Sequence, residues 1–154
     1  MENPTQNMYT EGIVSIHLPC HFEYLRIARQ SIIDVCARAG LSEYKTAQLE
    51  MAIDEACANI IEHSYGHVHN QPNAPDQRGM QLNLIRQQNA IVVEVIDFGK
   101  GFAYNEDSVI HPEDYVRDKR ERGLGLYIIK NFVDELSYTC DAEKGNLLRL
   151  TKNI

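Results

Sequence analysis

The segment Met51 to Gly66, M-A-I-D-E-A-C-A-N-I-I-E-H-S-Y-G, constrains the fold of this chain more than any other. Glu55, Asn59 and His63 recur at every fourth position, so on the helical period they form a column along one side of a cylinder. Leu49, Ile53, Ala56 and Ile60 form a second stripe, the one expected to meet a core. Ser42 is suited to cap this helix, Glu43 suits its first turn, and Gly66 marks its expected end. Such a helix is either a solvated surface element or one wall of a polar pocket. Asp54 points away from the column and is expected to be structural.

The flanking segments alternate in period. Glu11 to Leu18 reads as a first strand closed by Pro19, and Phe22 to Ala39 as a helix whose apolar residues are Leu25, Ala28, Ile32, Val35 and Ala39. Gly40 is its natural stop. After the organising helix, Gly66 to Arg78 has the prolines and asparagines of a loop. Gly79 to Gln87 and Ala90 to Asp97 then read as a hairpin turning at Gln88-Asn89. Phe98 to Arg122 has no periodicity, and an aperiodic segment of that length is expected to be a lid or binding loop. Helical spacing resumes at Gly123 with Leu126, Ile129, Phe132 and Leu136. Leu136 to Cys140 reads as a strand, Asp141 to Asn146 as a turn, and Leu147 to Lys152 as a last strand. These 154 residues are expected to make one domain, with a core over about 12–152 and the lid over about 102–122.

Composition removes several classes of function. Apolar residues make up 44% and charged residues 24%, which excludes a disordered or fibrous chain. No apolar run is long enough to span a bilayer, so no membrane role is expected. The first residues, M-E-N-P-T-Q-N-M-Y-T, show neither a basic segment nor an apolar signal core, and a cytoplasmic location is expected. Cys20, Cys36, Cys57 and Cys140 form no C-x-x-C pair and are expected to be reduced core residues. The net charge of −7 argues against nucleic acid as a partner and leaves proteins and small molecules.

Three further motifs carry chemistry, and each has a plainer reading beside it. Asp97-Phe98-Gly99-Lys100-Gly101 is a strand end followed by a flexible turn; it is also a carboxylate able to accept from an exocyclic amine, beside glycines that let a flat ring approach the backbone. Gly123-Leu124-Gly125-Leu126 is a glycine-rich helix start, and such a start offers N–H groups to phosphate. Ile128 stands where a third glycine would make a dinucleotide fingerprint, so that motif is excluded. Glu55 and Asn59 are either incidental surface residues or oxygen donors for a magnesium–nucleotide site. The spacing His63, His67, His69 admits zinc only if an acid joins it. Arg117, Lys119, Arg120 and Arg122 alternate with acids, as a solvated lid surface would, or else face a triphosphate.

Taken in order, the helical E-x-x-x-N, the strand-end D-x-G-x-G, the long lid and the G-L-G-L helix start resemble the Bergerat-fold ATPases, the group of DNA gyrase, sensor histidine kinases and anti-sigma-factor serine kinases. The opening strand and helix, followed by D-E-A-C-A-N-I-I-E-H-S-Y, are most similar to the anti-sigma-factor serine/threonine kinases, over about Gly12 to Lys152. That resemblance implies a two-layer α/β (α+β) sandwich: a mixed, mostly antiparallel sheet with helices on one face and ATP beneath the lid. It implies that Asn59 ligates Mg²⁺, that Glu55 is the general base toward the acceptor hydroxyl, and that Asp97 reads the adenine amine. Gly99 and Gly101 would shape the ring pocket, while Gly123, Leu124, Gly125 and Leu126 would hold the phosphates. Family members often carry Thr or Ser where Asn146 follows Gly145 here, which makes Asn146 a nucleotide contact with altered chemistry.

The implied function is an ATP-dependent kinase that binds a sigma factor or another sequestered regulator and phosphorylates a small STAS-type anti-sigma-factor antagonist, with a homodimer as the implied assembly. Two other functions compete: a nucleotide-gated binding module with little or no kinase activity, and a histidine-kinase-type catalytic domain. The second is disfavoured because no dimerisation helix pair with an acceptor histidine precedes the domain in this sequence.

Overall fold

The computed structural model describes residues 12–64, 79–99 and 124–154. Five alternating segments become strands: β1 (Gly12–Leu18), β2 (Met80–Arg86), β3 (Ala90–Asp97), β4 (Glu135–Asp141) and β5 (Gly145–Asn153). They form one sheet in the order β1-β2-β3-β5-β4. Among the described residues every pairing is antiparallel, so the sheet expected to be mixed and mostly antiparallel contains no parallel pair here. The connections explain this. β2–β3 and β4–β5 are hairpins, and the second hairpin docks through β5 against β3.

Alternation separates the two faces of the sheet. One cross-strand row runs Val14, Leu84, Val93, Leu150, Leu136 and turns toward the helices. The adjacent row runs Ser15, Asn83, Glu94, Arg149, Ser137 on the other face. Its members bond to one another: Ser15 Oγ donates to Asn83 at 2.9 Å, Asn83 Nδ2 to Glu94 at 3.0 Å, and Arg149 to Glu94 at 2.8 Å.

The helices are α1 (Leu25–Ala39), α2 (Glu43–Asn59) and α3 (Leu124–Phe132). A single 3-10 turn at Phe22–Tyr24 occupies the start expected for the first helix. Gly40 ends α1 with φ of 79°, and Ser42 caps α2 by accepting from the Lys45 N–H at 3.2 Å. The expected stripe of Leu49, Ile53, Ala56 and Ile60 is buried in full. Arg29 Nε meets both Asp54 oxygens, at 2.7 and 2.6 Å, which ties α1 to α2 and accounts for Asp54 as a structural residue. Beyond Asn59 the helix widens into one π turn, Ile60–Ser64, and its expected end at Gly66 lies outside the described residues.

Leu136, which fits the apolar stripe of the last helix as well as the expected strand, belongs to the strand: α3 ends at Phe132, the Asp134 N–H donates to Thr151 O at 2.8 Å, and Leu136 lies in β4. One boundary differs from expectation. The turn expected over Asp141 to Asn146 is shorter. Asp141 Oδ1 accepts from the N–H groups of Glu143 and Lys144, both at 2.8 Å, and the strand resumes at Gly145. No helix among the described residues is long and apolar enough to cross a membrane.

Candidate functional site

The end of β3 carries the first half of the site. Asp97 is its last residue and is 1% exposed. The β3–β5 register puts Asn146 directly opposite. Asp97 Oδ1 accepts from the Gly99 N–H at 2.9 Å and from Asn146 Nδ2 at 3.1 Å, and the same Nδ2 donates to Gly99 O at 3.0 Å. Strand end, glycine turn and facing strand thus share one polar knot, and a buried carboxylate is tolerated because it is hydrogen-bonded.

Gly145 permits this approach. Its φ is +90°, and a Cβ there would stand 2.7 Å from Asp97 O and 3.0 Å from the Phe98 ring. Backbone conformation and close packing therefore both require glycine. A cavity of about 290 Å³ opens beside the knot, lined by Phe98, Gly99, Cys140, Asp141, Gly145 and Asn146 among others. Cys20 lies in the same region: its thiol is pushed up to about 12, chiefly by burial and then by the charge of Asp97.

The second half lies where α3 packs on α2. A Cβ on Gly125 would stand 2.7 Å from Glu55 Oε2 and 3.7 Å from Asn59 Nδ2. The bare backbone at Gly125 therefore rests against the polar column of α2. Glu55 and Asn59 are half-buried. The Glu55 carboxyl is held above its ordinary range, first by desolvation and then by the charges of Asp54 and Glu62. A carboxylate raised in this way, beside a carboxamide and a glycine surface, is suited to accept a proton.

Six of the residues singled out from sequence fall into these two clusters: Glu55, Asn59 and Gly125 in one, Asp97, Gly99 and Asn146 in the other. Leu124 begins α3, and Leu126 is half-buried against the core. Gly101, Gly123, the lid over 102–122 with its four basic residues, His67 and His69 lie outside the described residues, as does the side chain of His63. Phe98 and Cys140 were not anticipated. The pattern did hold a signal for Cys140, because extending the last strand back to Gly145 pairs it with Asn146. A larger cavity of about 690 Å³ lies at the Gln88-Asn89 end of the sheet and contains none of the motif residues.

Residues 18–152 match the family model described as histidine kinase-like ATPase domain. The chain is 28% identical over 145 residues to the serine-protein kinase RsbW of Bacillus cereus (strain AH820), covering 92% of this chain and 84% of that one. The RsbW of Bacillus anthracis gives the same identity and coverage. Among solved structures, the chain superposes on the RsbU and RsbW domains of Rv1364c from Mycobacterium tuberculosis with a TM-score of 0.63 at 19% identity. That match covers 92% of this chain and 32% of the other, so the chain spans about a third of that protein's length. The histidine kinase domain of a blue-light activated histidine kinase from Erythrobacter litoralis aligns with a TM-score of 0.50 at 18% identity, over 88% of this chain and 61% of that one. The resemblance read from the motifs is borne out, and so is the fold it implied.

Proposed function

This chain belongs to the histidine kinase-like ATPase domain family, and we propose that it is a Mg-ATP-dependent serine/threonine protein kinase of the cytoplasm. In this reading it acts as an anti-sigma factor, sequestering a sigma factor and phosphorylating a small STAS-type antagonist. The observation that carries the reading is the meeting of Gly125 with Glu55 and Asn59, which joins the carboxylate–carboxamide pair to the helix start suited to phosphate. The 28% identity to serine-protein kinases supports serine or threonine as the acceptor.

The residues fit a magnesium ion. It takes oxygen ligands shared with phosphates, Asn59 offers a carboxamide oxygen, and the space at Gly125 is one that a Cβ would fill. Asn59 would hold the ion, which when bound supplies charge neutralisation to the phosphates. Glu55 takes the proton of the acceptor hydroxyl as that oxygen bonds to the γ-phosphorus. The bond from phosphorus to the bridging oxygen breaks, and ADP leaves with the electron pair. Asp97 accepts from the adenine amine, while Gly99 and Gly101 let the ring approach and residues 123–126 offer backbone N–H groups to the phosphates.

The test is to incubate the purified chain with Mg-ATP and a candidate STAS-type protein and to map the phosphate by mass spectrometry. Acid-stable phosphoserine or phosphothreonine on the added protein is expected. Acid-labile phosphohistidine, or transfer to neither residue type across a panel of such proteins, would overturn the assignment.

A further inference from the structure

Cys140 is the one cysteine of the chain that is exposed. Cys36 and Cys57 are buried, and Cys20 is half-buried. Burial pushes the Cys36 thiol up to about 11, burial and then the charge of Asp97 push Cys20 up to about 12, and burial raises Cys57 as well. A cysteine reacts as its thiolate and only where a reagent can reach it, so Cys140 is the nucleophile of the set.

Its place in the fold gives that reactivity a consequence. β4 is the last strand of the described sheet, so the thiol is reached from the edge without opening a strand pair. Cys140 pairs with Asn146, which pairs with Asp97, and directly paired residues share a face, so the three stand in one row on the side that carries the helices. Cys140 lines the cavity of about 290 Å³ together with Phe98, Gly99 and Asn146. Asn146 supplies an independent sign that this cavity takes a ligand. It is 5% exposed, and its Nδ2 is spent on Asp97 Oδ1 at 3.1 Å and Gly99 O at 3.0 Å, which fixes the orientation of the amide. Its Oδ1 receives no hydrogen bond from the described residues, although the residue forms part of the cavity wall.

We propose that Cys140 is a covalent modification site at the nucleotide pocket, where a mixed disulfide with a small thiol closes the pocket to the base. The proposal rests on the nucleotide-binding reading above and adds its regulation. The Cys140 thiol gives its proton to water, and the thiolate attacks one sulfur of a low-molecular-weight disulfide. The bond from Sγ forms as the S–S bond of the reagent breaks, and the departing thiolate leaves with the electron pair and takes up a proton. The Cys140 sulfur is oxidised, the released sulfur is reduced, and excess thiol reverses the exchange. A cavity of about 290 Å³ is at the small end of ligand pockets, which run from roughly 300 Å³ upward, so an adduct and a base compete for the same space.

The experiment treats the purified chain with oxidised glutathione and maps the adduct by mass spectrometry. Mg-ADP affinity is measured by calorimetry before treatment, after it, and after reduction with dithiothreitol. Cys140 is expected to be modified ahead of Cys20, Cys36 and Cys57, with Mg-ADP affinity lowered at least about tenfold and restored on reduction. Mg-ADP at about a hundred times its Kd is expected to slow the modification at least about tenfold, a protection that a cysteine remote from the pocket would not show. In Cys140→Ser, treatment is expected to leave the affinity at that variant's own untreated value. An adduct on Cys140 that leaves Mg-ADP affinity unchanged, or one that forms first on another cysteine, overturns the inference while the nucleotide reading stands. If the untreated chain does not bind Mg-ADP, the proposed function fails and takes this inference with it.

Discussion

Glu55 shows how one side chain is set apart from its chemical twins. Asp54, its neighbour in sequence, is paired with Arg29, whereas Glu55 is half-buried with no described cation beside it and its carboxyl is raised. A base must be deprotonated to act, so phosphotransfer is expected to fall as pH drops through a value above the ordinary range of a glutamate. Asp54→Asn removes one of the two raising charges and is expected to move this acid limb to lower pH by a fraction of a unit, read from the pH–rate profile. The same shift has a consequence for stability. A carboxyl raised on folding contributes stability that is present below its unfolded value and is lost as pH rises through the folded one. Glu55→Gln is therefore expected to melt at the same temperature or higher at neutral pH while losing about 10²- to 10⁴-fold in transfer rate. The two site glycines behave differently from each other. Gly145→Ala forces a side chain onto φ +90° and into the Asp97 carbonyl, so a loss of about 1–3 kcal/mol in urea unfolding is expected. Gly125→Ala meets only the tip of Glu55, so near-normal stability with reduced transfer is expected.

At the scale of elements, the helices and inner strands were legible because their apolar periods are strong and uninterrupted. The one boundary that was misread lies at the last turn. Gly145 and Asn146 carry turn chemistry in sequence, yet here the glycine serves a close approach and the asparagine is buried because Asp97 and Gly99 satisfy it; cross-strand register decides this, and no local pattern encodes it. Leu136 fits a helical stripe equally well, and only the bonds of Asp134 to Thr151 and Asn153 decide for the strand. The π turn after Asn59 left no mark in composition. Lys152 was likewise invisible as a buried residue. It is 6% exposed, and its Nζ donates to Gln48 on α2 at 2.7 Å and to the Phe132 carbonyl at the end of α3 at 2.8 Å. This ties together the two helices that carry Glu55 and Gly125, and a cation suits the carbonyl end of α3. Lys152→Met is expected to cost about 2 kcal/mol in urea unfolding, as charged hydrogen bonds of this kind do, whereas Lys144→Met on the exposed turn is expected to cost nothing measurable.

Over the whole molecule, an antiparallel sheet gathers residues that are far apart along the chain. Asp97 and Asn146 meet because β5 docks on β3, and Glu55 meets Gly125 because α2 and α3 share the covered face. The sequence held the identities and the order of these motifs, which was enough to suggest a nucleotide pocket. It did not hold the pairing of Asn146 with Asp97 or the orientation of its amide, since both depend on tertiary register. Asp97 and Asn146 share the alternation phase of Val93, Val95, Leu148 and Leu150, so they lie on the face that carries the helices. The central claim is that the polar column of α2 is the wall of a nucleotide site whose glutamate does the chemistry. The direct test measures Mg-ADP affinity and single-turnover phosphotransfer to the identified protein acceptor side by side, for wild type and Glu55→Gln. Affinity retained within about threefold with transfer reduced at least about a hundredfold is expected; transfer that survives undiminished in Glu55→Gln would contradict it.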